Sequence, residues 1–107
     1  QNAFNADQRM TQKYVEDFEV ANVKGAKGLP KCGASLAAFV ALGREKGYRL
    51  IGCESQCFNA IFVKNGVGDK IFPEVSIDQC LQSPLAVIRQ NLLRDSKHLL
   101  PDIWEEV

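Results

Sequence analysis

The alternation of apolar and polar residues is most regular over residues 33–64, where it predicts a helix followed by two strands. Ser35 is a suitable N-cap, and Gly47 is a suitable stop after the charged residues that precede it. The positions expected to form the buried face recur at helical spacing: Leu36, Phe39, Val40 and Gly43. The pattern therefore predicts a helix over Ser35–Lys46.

Two apolar runs follow this helix, Tyr48–Cys53 and Asn59–Lys64. The connection 54–58 is too short for a parallel crossover, which needs about a dozen residues, so an antiparallel hairpin is expected. Both runs contain consecutive apolar residues, a pattern typical of strands that are covered on both faces. The hairpin is therefore expected to have neighbours.

Ahead of this helix–hairpin core, residues 1–20 are predicted to form a helix or a loop. A helix over Asp7–Phe18, with Asn5 as its cap, is favoured by apolar side chains at helical spacing: Met10, Tyr14, Val15 and Phe18. Residues 21–32 contain three lysines, two glycines and Pro30, which predict a mobile linker. A basic loop that contacts phosphate is the less favoured alternative.

Residues 65–107 are predicted to be a C-terminal helical segment. A capping box begins a short helix over Ser76–Leu81. A longer helix begins at Ser83, with proline at its first position, and is expected to end between Lys97 and Leu100, before the next proline.

Beyond the longer helix, Ile103 and Trp104 either dock onto the core or mark a partner surface. The whole chain of 107 residues is predicted to be one domain or a fragment of one.

The composition is that of an ordinary globular protein, with 46% hydrophobic residues. The 13 basic residues balance the 13 acidic ones, so the formal charge is zero. A neutral chain has no general attraction to nucleic acid or to an anionic membrane, and neither is predicted as a partner. No apolar run reaches the roughly 20 residues that cross a bilayer.

The cysteines are too sparse for a disulfide-built scaffold: Cys32, Cys53, Cys57 and Cys80. Their spacing is not that of common zinc sites and His98 is the only histidine, so reduced thiols are favoured over a Cys3His zinc site. Reduced thiols without a secretory leader predict a cytoplasmic location. His98 lies late in a predicted helix, where the helix dipole explains it better than catalysis.

Three motifs resemble the C-terminal part of bacterial methyltransferase-like proteins related to the FkbM group. They are GASLAA from Gly33, LGREKGYRLIGC from Leu42 and NAIFVK from Asn59. The resemblance is weaker over FPEVS from Phe72, and QNAFN at the start of the chain is a loose match. It therefore rests mainly on residues 33–64.

The resemblance implies a partial α/β fold. This chain would supply the last helix and the final antiparallel hairpin of the Rossmann-like sheet of a class I S-adenosylmethionine-dependent methyltransferase. In such sheets the cofactor binds at a glycine-rich turn between an early strand and a helix. The close glycine pairs that begin at Gly25 and Gly66 do not lie between a predicted strand and a helix. No cofactor site is predicted in this chain, and S-adenosylmethionine is implied only for the full-length relative.

Candidate residues for the methyl-acceptor side also follow from the resemblance. The QNAFN match places Asn2 and Asn5 where a polar residue orients the acceptor atom, although a plain polar terminus is the favoured alternative. The hairpin connection would bring Glu54, Ser55 and Gln56 to the acceptor pocket by analogy with the fold alone. No catalytic residue and no metal ligand are assigned.

Two functions remain open from the sequence. The first is the C-terminal structural portion of a methyltransferase-like protein, inactive alone because it lacks the cofactor-binding half. A start at Gln1 without an initiator Met agrees with such a piece. The second is a stand-alone, non-catalytic interaction module that pairs through the hairpin edge. The expected partner is accordingly the missing N-terminal half or further copies of the chain in a homo-oligomer.

Overall fold

The structure, a computed structural model, describes residues 3–55 and 58–107. The helices are α1 (Leu36–Glu45), α2 (Ile77–Cys80) and α3 (Pro84–Asp95), with short 3-10 helices at Val20–Asn22 and Lys97–Leu99. The strands are β1 (Met10–Gln12), β2 (Tyr48–Cys53), β3 (Ala60–Lys64) and β4 (Trp104–Glu106). β1 pairs with β4 and β2 pairs with β3, so this mixed helix and strand fold contains two small antiparallel sheets.

Helix α1 confirms the predicted helix and its cap. Ser35 Oγ accepts a hydrogen bond from the backbone N–H of Ala38 at 3.2 Å. The chain leaves the helix at Gly47, whose φ of +83° suits glycine. Phe39, predicted on the buried face, is instead 45% exposed. The buried face packs in a cluster called here the hairpin core: Leu36, Val40, Leu50 and Leu81.

The predicted antiparallel hairpin is confirmed as β2 and β3. Leu50 lies opposite Phe62, and the register shifts between Leu50 and Gly52, so β2 carries an extra residue there. The ring of Phe62 lies against α1, where a Cβ added to Gly43 would come within 3.3 Å of it. The small residue on the helix therefore lets α1 approach β3 closely.

Helices α2 and α3 begin where the sequence predicts. The capping box is present: Ser76 Oγ accepts from the N–H of Gln79 at 3.1 Å, and Gln79 Oε1 accepts from the N–H of Ser76 at 2.8 Å. Ser83 is the N-cap of α3, with Pro84 at the first helical position. The predicted end between Lys97 and Leu100 is wrong: α3 ends at Asp95, and a separate 3-10 helix, Lys97–Leu99, follows Ser96, whose backbone is not helical.

The helix predicted over Asp7–Phe18 is wrong, and the strand β1 lies in its place. Met10 of β1 pairs with Glu106 of β4, and Thr11 forms a bridge with Ala34 on the other side. Two distant segments thus supply backbone partners to both edges of β1, which overrides the local helical spacing. β4 is not among the predicted elements.

Trp104 docks onto a core, which is one of its two predicted alternatives. Its side chain is 7% exposed, and its ring meets Phe4 edge to face with 5.0 Å between centroids. The indole N–H donates to the carbonyl of Pro30 at 3.2 Å, so part of segment 21–32 is packed. This second cluster is called here the terminal core: Ala3, Phe4, Leu29, Leu93 and Trp104.

The longest described helix, α3, has 12 residues. A helix that crosses a bilayer needs about 20 apolar residues. Within residues 3–55 and 58–107, no helix combines the length and the apolar character that a membrane span requires.

Candidate docking surface

Strand β3 has an open edge in the part of the chain that the structure describes, where it pairs with β2 alone. The N–H of Asn65 donates across the hairpin at 2.9 Å, and the carbonyl of Asn59 accepts across it at 3.2 Å. Because neighbouring residues of a strand alternate in direction, the N–H groups of Ala60 and Phe62 point to the outer edge. These two donors are available to another strand.

The outer edge of β2 is occupied. The N–H of Val75 donates to the carbonyl of Leu50 at 3.0 Å, so the segment before α2 runs beside β2. The two edges of the hairpin therefore differ, and the one on β3 is the edge that can accept a further strand.

Arg49 ties the loop after β3 to the hairpin. Its guanidinium donates to the carbonyls of Lys64 at 2.9 Å, Val67 at 2.8 Å and Phe72 at 3.0 Å, and it pairs with Asp69 at 3.0 Å. The residue is 7% exposed. A buried charge with this many acceptors holds the backbone of loop 64–72 in one shape.

Sequence reasoning does not single out Arg49. The available signal is a lone charged residue at the second position of an otherwise apolar strand. Such a residue, if buried, needs acceptors from elsewhere in the chain.

A second surface is a groove between the outer face of α1 and the sheet of β1 and β4, called here the α1 groove. Its cavity volume is about 650 Å³. Three large aromatic or aliphatic side chains that line the groove are exposed to solvent: Tyr14 is 90% exposed, Phe39 45% and Leu42 48%. Grooves of this size with an apolar lining are typical binding sites for small molecules or protein segments.

The structure gives Asn5 a local role. Its N–H donates to Gln8 Oε1 at 2.7 Å and its carbonyl accepts from the N–H of Gln8 at 3.1 Å, which closes a turn. Asn5 also lines a cavity of about 300 Å³ beside α3. Asn2 lies outside the described residues.

Glu54 and Ser55 line a different cavity, of about 260 Å³, at the hairpin connection. Glu54 Oε1 accepts from the N–H of Asn59 at 3.0 Å, so it organises the connection itself. Gln56 lies outside the described residues. Asn5 and the hairpin connection are therefore not brought together in one described cavity.

No protein-family model, curated protein or solved structure matches this chain. The methyltransferase-like relationship therefore stays a prediction from the three motifs in residues 33–64.

The polar side chains do not assemble a metal centre: in residues 3–55 and 58–107 no three His, Cys, Asp or Glu side chains are grouped to hold an ion. Cys53 and Cys80 both line the cavity at the hairpin connection.

The hydrogen bond to Asp95 raises the pKa of Arg94 above its ordinary value, and the negative charge of Asp95 raises this pKa further. His98 lies exposed in the 3-10 helix after α3. The best-supported candidate functional features are thus two docking surfaces, the open edge of β3 and the α1 groove.

Proposed function

We propose that this chain completes a larger α/β sheet through the open edge of β3, as the last helix and hairpin of a methyltransferase-like protein. The observation that supports the proposal is the difference between the two hairpin edges. Val75 occupies the edge of β2, whereas β3 has no described neighbour beyond β2. The order of one helix and an antiparallel hairpin is also the order that the resemblance implies.

The composition of β3 favours pairing with a further strand. Protective features of edge strands include prolines, bulges and charges. β3 has the sequence AIFVK, with its only charge at the last position, and the bulge lies on β2 instead. Ile61 is 49% exposed on the strand. Since a two-stranded sheet is marginal by itself, a third strand on this edge would add both hydrogen bonds and apolar burial.

We assign the cofactor to another part of the proposed parent protein, because the glycines that follow the hairpin do not fit a nucleotide-binding turn. Gly66 and Gly68 follow β3, but the chain then enters the loop that Arg49 holds and reaches no helix before Ile77. A dinucleotide-type turn needs a helix N-terminus directly after its glycines. The chain alone is therefore expected to be inactive and to bind no S-adenosylmethionine.

A second candidate, a stand-alone interaction module, is favoured by the terminal core. Strands β1 and β4 come from opposite ends of the described chain and pair with each other. Phe4 packs against Trp104 of β4, with 5.0 Å between the ring centroids. The residues around β1 and β4 thus have a core of their own, which a stand-alone module requires.

The coding sequence upstream of Gln1 separates the two candidates. A continuous reading frame with a strand and a glycine-rich turn is expected for the methyltransferase-like parent. A start codon directly before Gln1 contradicts that parent and leaves the stand-alone module. Calorimetric titration of the 107-residue chain with S-adenosylmethionine provides an independent check, since micromolar binding would show that the cofactor site has been assigned to the wrong part.

The edge itself is tested with Ala60→Pro and, as its matched control, Ala60→Gly. Proline removes the outward N–H and is tolerated at the first residue of a strand, whereas glycine keeps the donor. In the longer protein, Ala60→Pro is expected to lower the melting temperature well below that of Ala60→Gly, because a ladder hydrogen bond is lost. In the 107-residue chain the two variants should melt alike. Equal melting in both contexts argues against pairing at this edge.

A further inference from the structure

Helix α1 has two apolar faces. One packs in the hairpin core through Leu36 and Val40, and the other presents Phe39 and Leu42, which are 45% and 48% exposed. A surface helix usually has a single apolar stripe, and one that is apolar on several sides is usually buried. The outer face of α1 therefore has the composition of a packed surface.

The α1 groove places a concave surface directly beside this exposed ridge. Phe39 and Leu42 line one side of it, Tyr14 lines another, and Val107 follows β4 along the sheet. The same side chains thus both project from the surface and border a cavity. A surface with both a ridge and an adjoining groove can be complementary to itself across a two-fold axis.

Charge is distributed unevenly along the α1 groove. Met10 and Ser35 exchange two hydrogen bonds, from the N–H of Met10 to Ser35 Oγ at 2.9 Å and from the N–H of Ser35 to the carbonyl of Met10 at 2.8 Å. Arg9, next to Met10, therefore lies near the N-terminal end of α1. Glu45 is the last residue of α1 and also lines the groove. At about 1.5 Å per residue, the helix separates the two ends by about 15 Å.

We propose that a second copy of this chain occupies the α1 groove, forming a two-fold dimer in which the two α1 helices run antiparallel. Phe39 and Leu42 of each copy enter the groove of the other. The antiparallel direction brings Glu45 of each copy to the positive end of the partner's groove, at Arg9. Ala38 and Ala41, the small residues of α1 that line the groove, let the helices approach closely.

The charge distribution is what selects a second copy as the occupant. Lys13, the other cation that lines the groove, already pairs with Asp102 at 3.2 Å, so Arg9 and Glu45 are the main complementary pair of the groove. A parallel arrangement would bring like charges together at both ends. One short helix pair forms an interface at the small end of the known range, so a weak, concentration-dependent dimer is expected.

Sedimentation velocity over a roughly hundredfold range of protein concentration tests the dimer. The wild-type chain is expected to pass from monomer to dimer, and Leu42→Asp is expected to raise the dimer dissociation constant roughly a hundredfold. Leu99→Asp is the matched control because Leu99 has the same 48% exposure and lies outside the groove. A wild-type chain that stays monomeric, or two variants with the same effect, overturns the proposal.

Charge reversal tests the antiparallel arrangement. Arg9→Glu and Glu45→Arg are each expected to weaken the dimer roughly tenfold, and the double variant is expected to restore it. Neither change opposes the dipole of α1, since acids are favoured near its start and bases near its end, so a loss of helix stability does not explain the loss of dimer. Glu16→Arg, at an exposed acid outside the groove, should leave the dimer unchanged.

Failure of the double variant to recover the dimer contradicts the antiparallel pairing. Ala60→Pro distinguishes dimerisation through the α1 groove from association through the edge of β3. A dimer at the α1 groove persists in that variant, whereas association through the strand edge is lost. Loss of the dimer in Ala60→Pro therefore overturns the groove assignment without deciding the proposal for the parent sheet.

Discussion

Arg49 and Asp69 form an ion pair of 3.0 Å in which the two side chains have very different environments. The arginine side chain is 8% exposed and the aspartate side chain is 62% exposed. The buried guanidinium therefore depends on protein acceptors to replace its lost hydration, while the Asp69 carboxylate is still largely solvated. Three backbone carbonyls complete the shell of Arg49, so the pair belongs to a network that holds loop 64–72 against the hairpin.

Arg49→Met is expected to destabilise the fold by about 2–3 kcal/mol, because carbonyls of the loop lose a charged donor. Asp69→Asn, which keeps the arginine and its carbonyl bonds, should cost about 0.5–1 kcal/mol. Urea unfolding followed by circular dichroism measures both changes. Limited trypsin digestion adds a local readout, since cleavage at Lys70 should accelerate only in Arg49→Met. Equal costs for the two variants would mean that the ion pair, and not the carbonyl network, holds the loop.

Ser35 joins helix α1 to strand β1. Its fully buried Oγ accepts from the N–H of Ala38 at 3.2 Å and from the N–H of Met10 at 2.9 Å. Ser35→Ala leaves both donors without this acceptor, so a loss of about 2–3 kcal/mol in the free energy of unfolding is expected. Ser76→Ala, at the exposed cap of α2, should cost about 1 kcal/mol or less in the same urea titration. A Ser35→Ala cost no larger than that of Ser76→Ala would show that the bond to Met10 contributes nothing.

The contrast between these two caps illustrates what the sequence can predict. A cap, a glycine stop and a helical stripe are local features, so α1, the hairpin and the starts of α2 and α3 follow from short windows of residues. The helix predicted over Asp7–Phe18 is wrong because the backbone partners of β1 come from Ala34 and from β4, far along the chain. Backbone hydrogen bonds between distant segments do not require a periodic pattern of apolar residues in either segment, so the sequence does not indicate them.

The docking surfaces were predictable only in part, for the same reason. Consecutive apolar residues in β3 indicate a neighbour, but only the structure distinguishes its open edge from the edge that Val75 occupies. The spacing of Phe39 is compatible with the buried stripe of α1, yet the side chain lies on the opposite side, in the α1 groove. The resemblance implies acceptor-side roles for Asn5 and Glu54. In the structure the backbone of Asn5 bonds locally to Gln8, and the Glu54 carboxylate accepts from the N–H of Asn59.

A comparison of Gly47 with Gly52 separates the cost of an unfavourable backbone conformation from the cost of a steric clash. A Cβ added at either position would meet nothing within 4 Å, but Gly47 has a φ of +83° and Gly52 does not have a positive φ. Gly47→Ala is therefore expected to destabilise the fold by about 1–2 kcal/mol, the cost of a left-handed L-residue. Gly52→Ala should change stability by less than about 0.5 kcal/mol. Comparable losses in thermal unfolding would point to a constraint at Gly52 other than side-chain space.

Trp104 provides a test of whether the two cores unfold together. It belongs to the terminal core, and none of the buried members of that cluster is shared with the hairpin core. Trp104→Ala removes a large buried side chain and its bond to the carbonyl of Pro30, so a loss of about 3–5 kcal/mol is expected. If the terminal core opens by itself, β1 and β4 lose their hydrogen bonds while β2 and β3 keep theirs.

Hydrogen exchange resolves the two sheets directly. In Trp104→Ala the amides of β1 and β4 are expected to exchange rapidly, while the amide of Val63 in β3 stays protected. Leu50→Ala is the reciprocal variant, because Leu50 is 2% exposed in the hairpin core and should release the β2–β3 amides. Because each cluster packs beneath its own sheet, exchange should follow the cluster that is damaged. Uniform loss of protection in both variants would establish instead that the two cores form one cooperative unit.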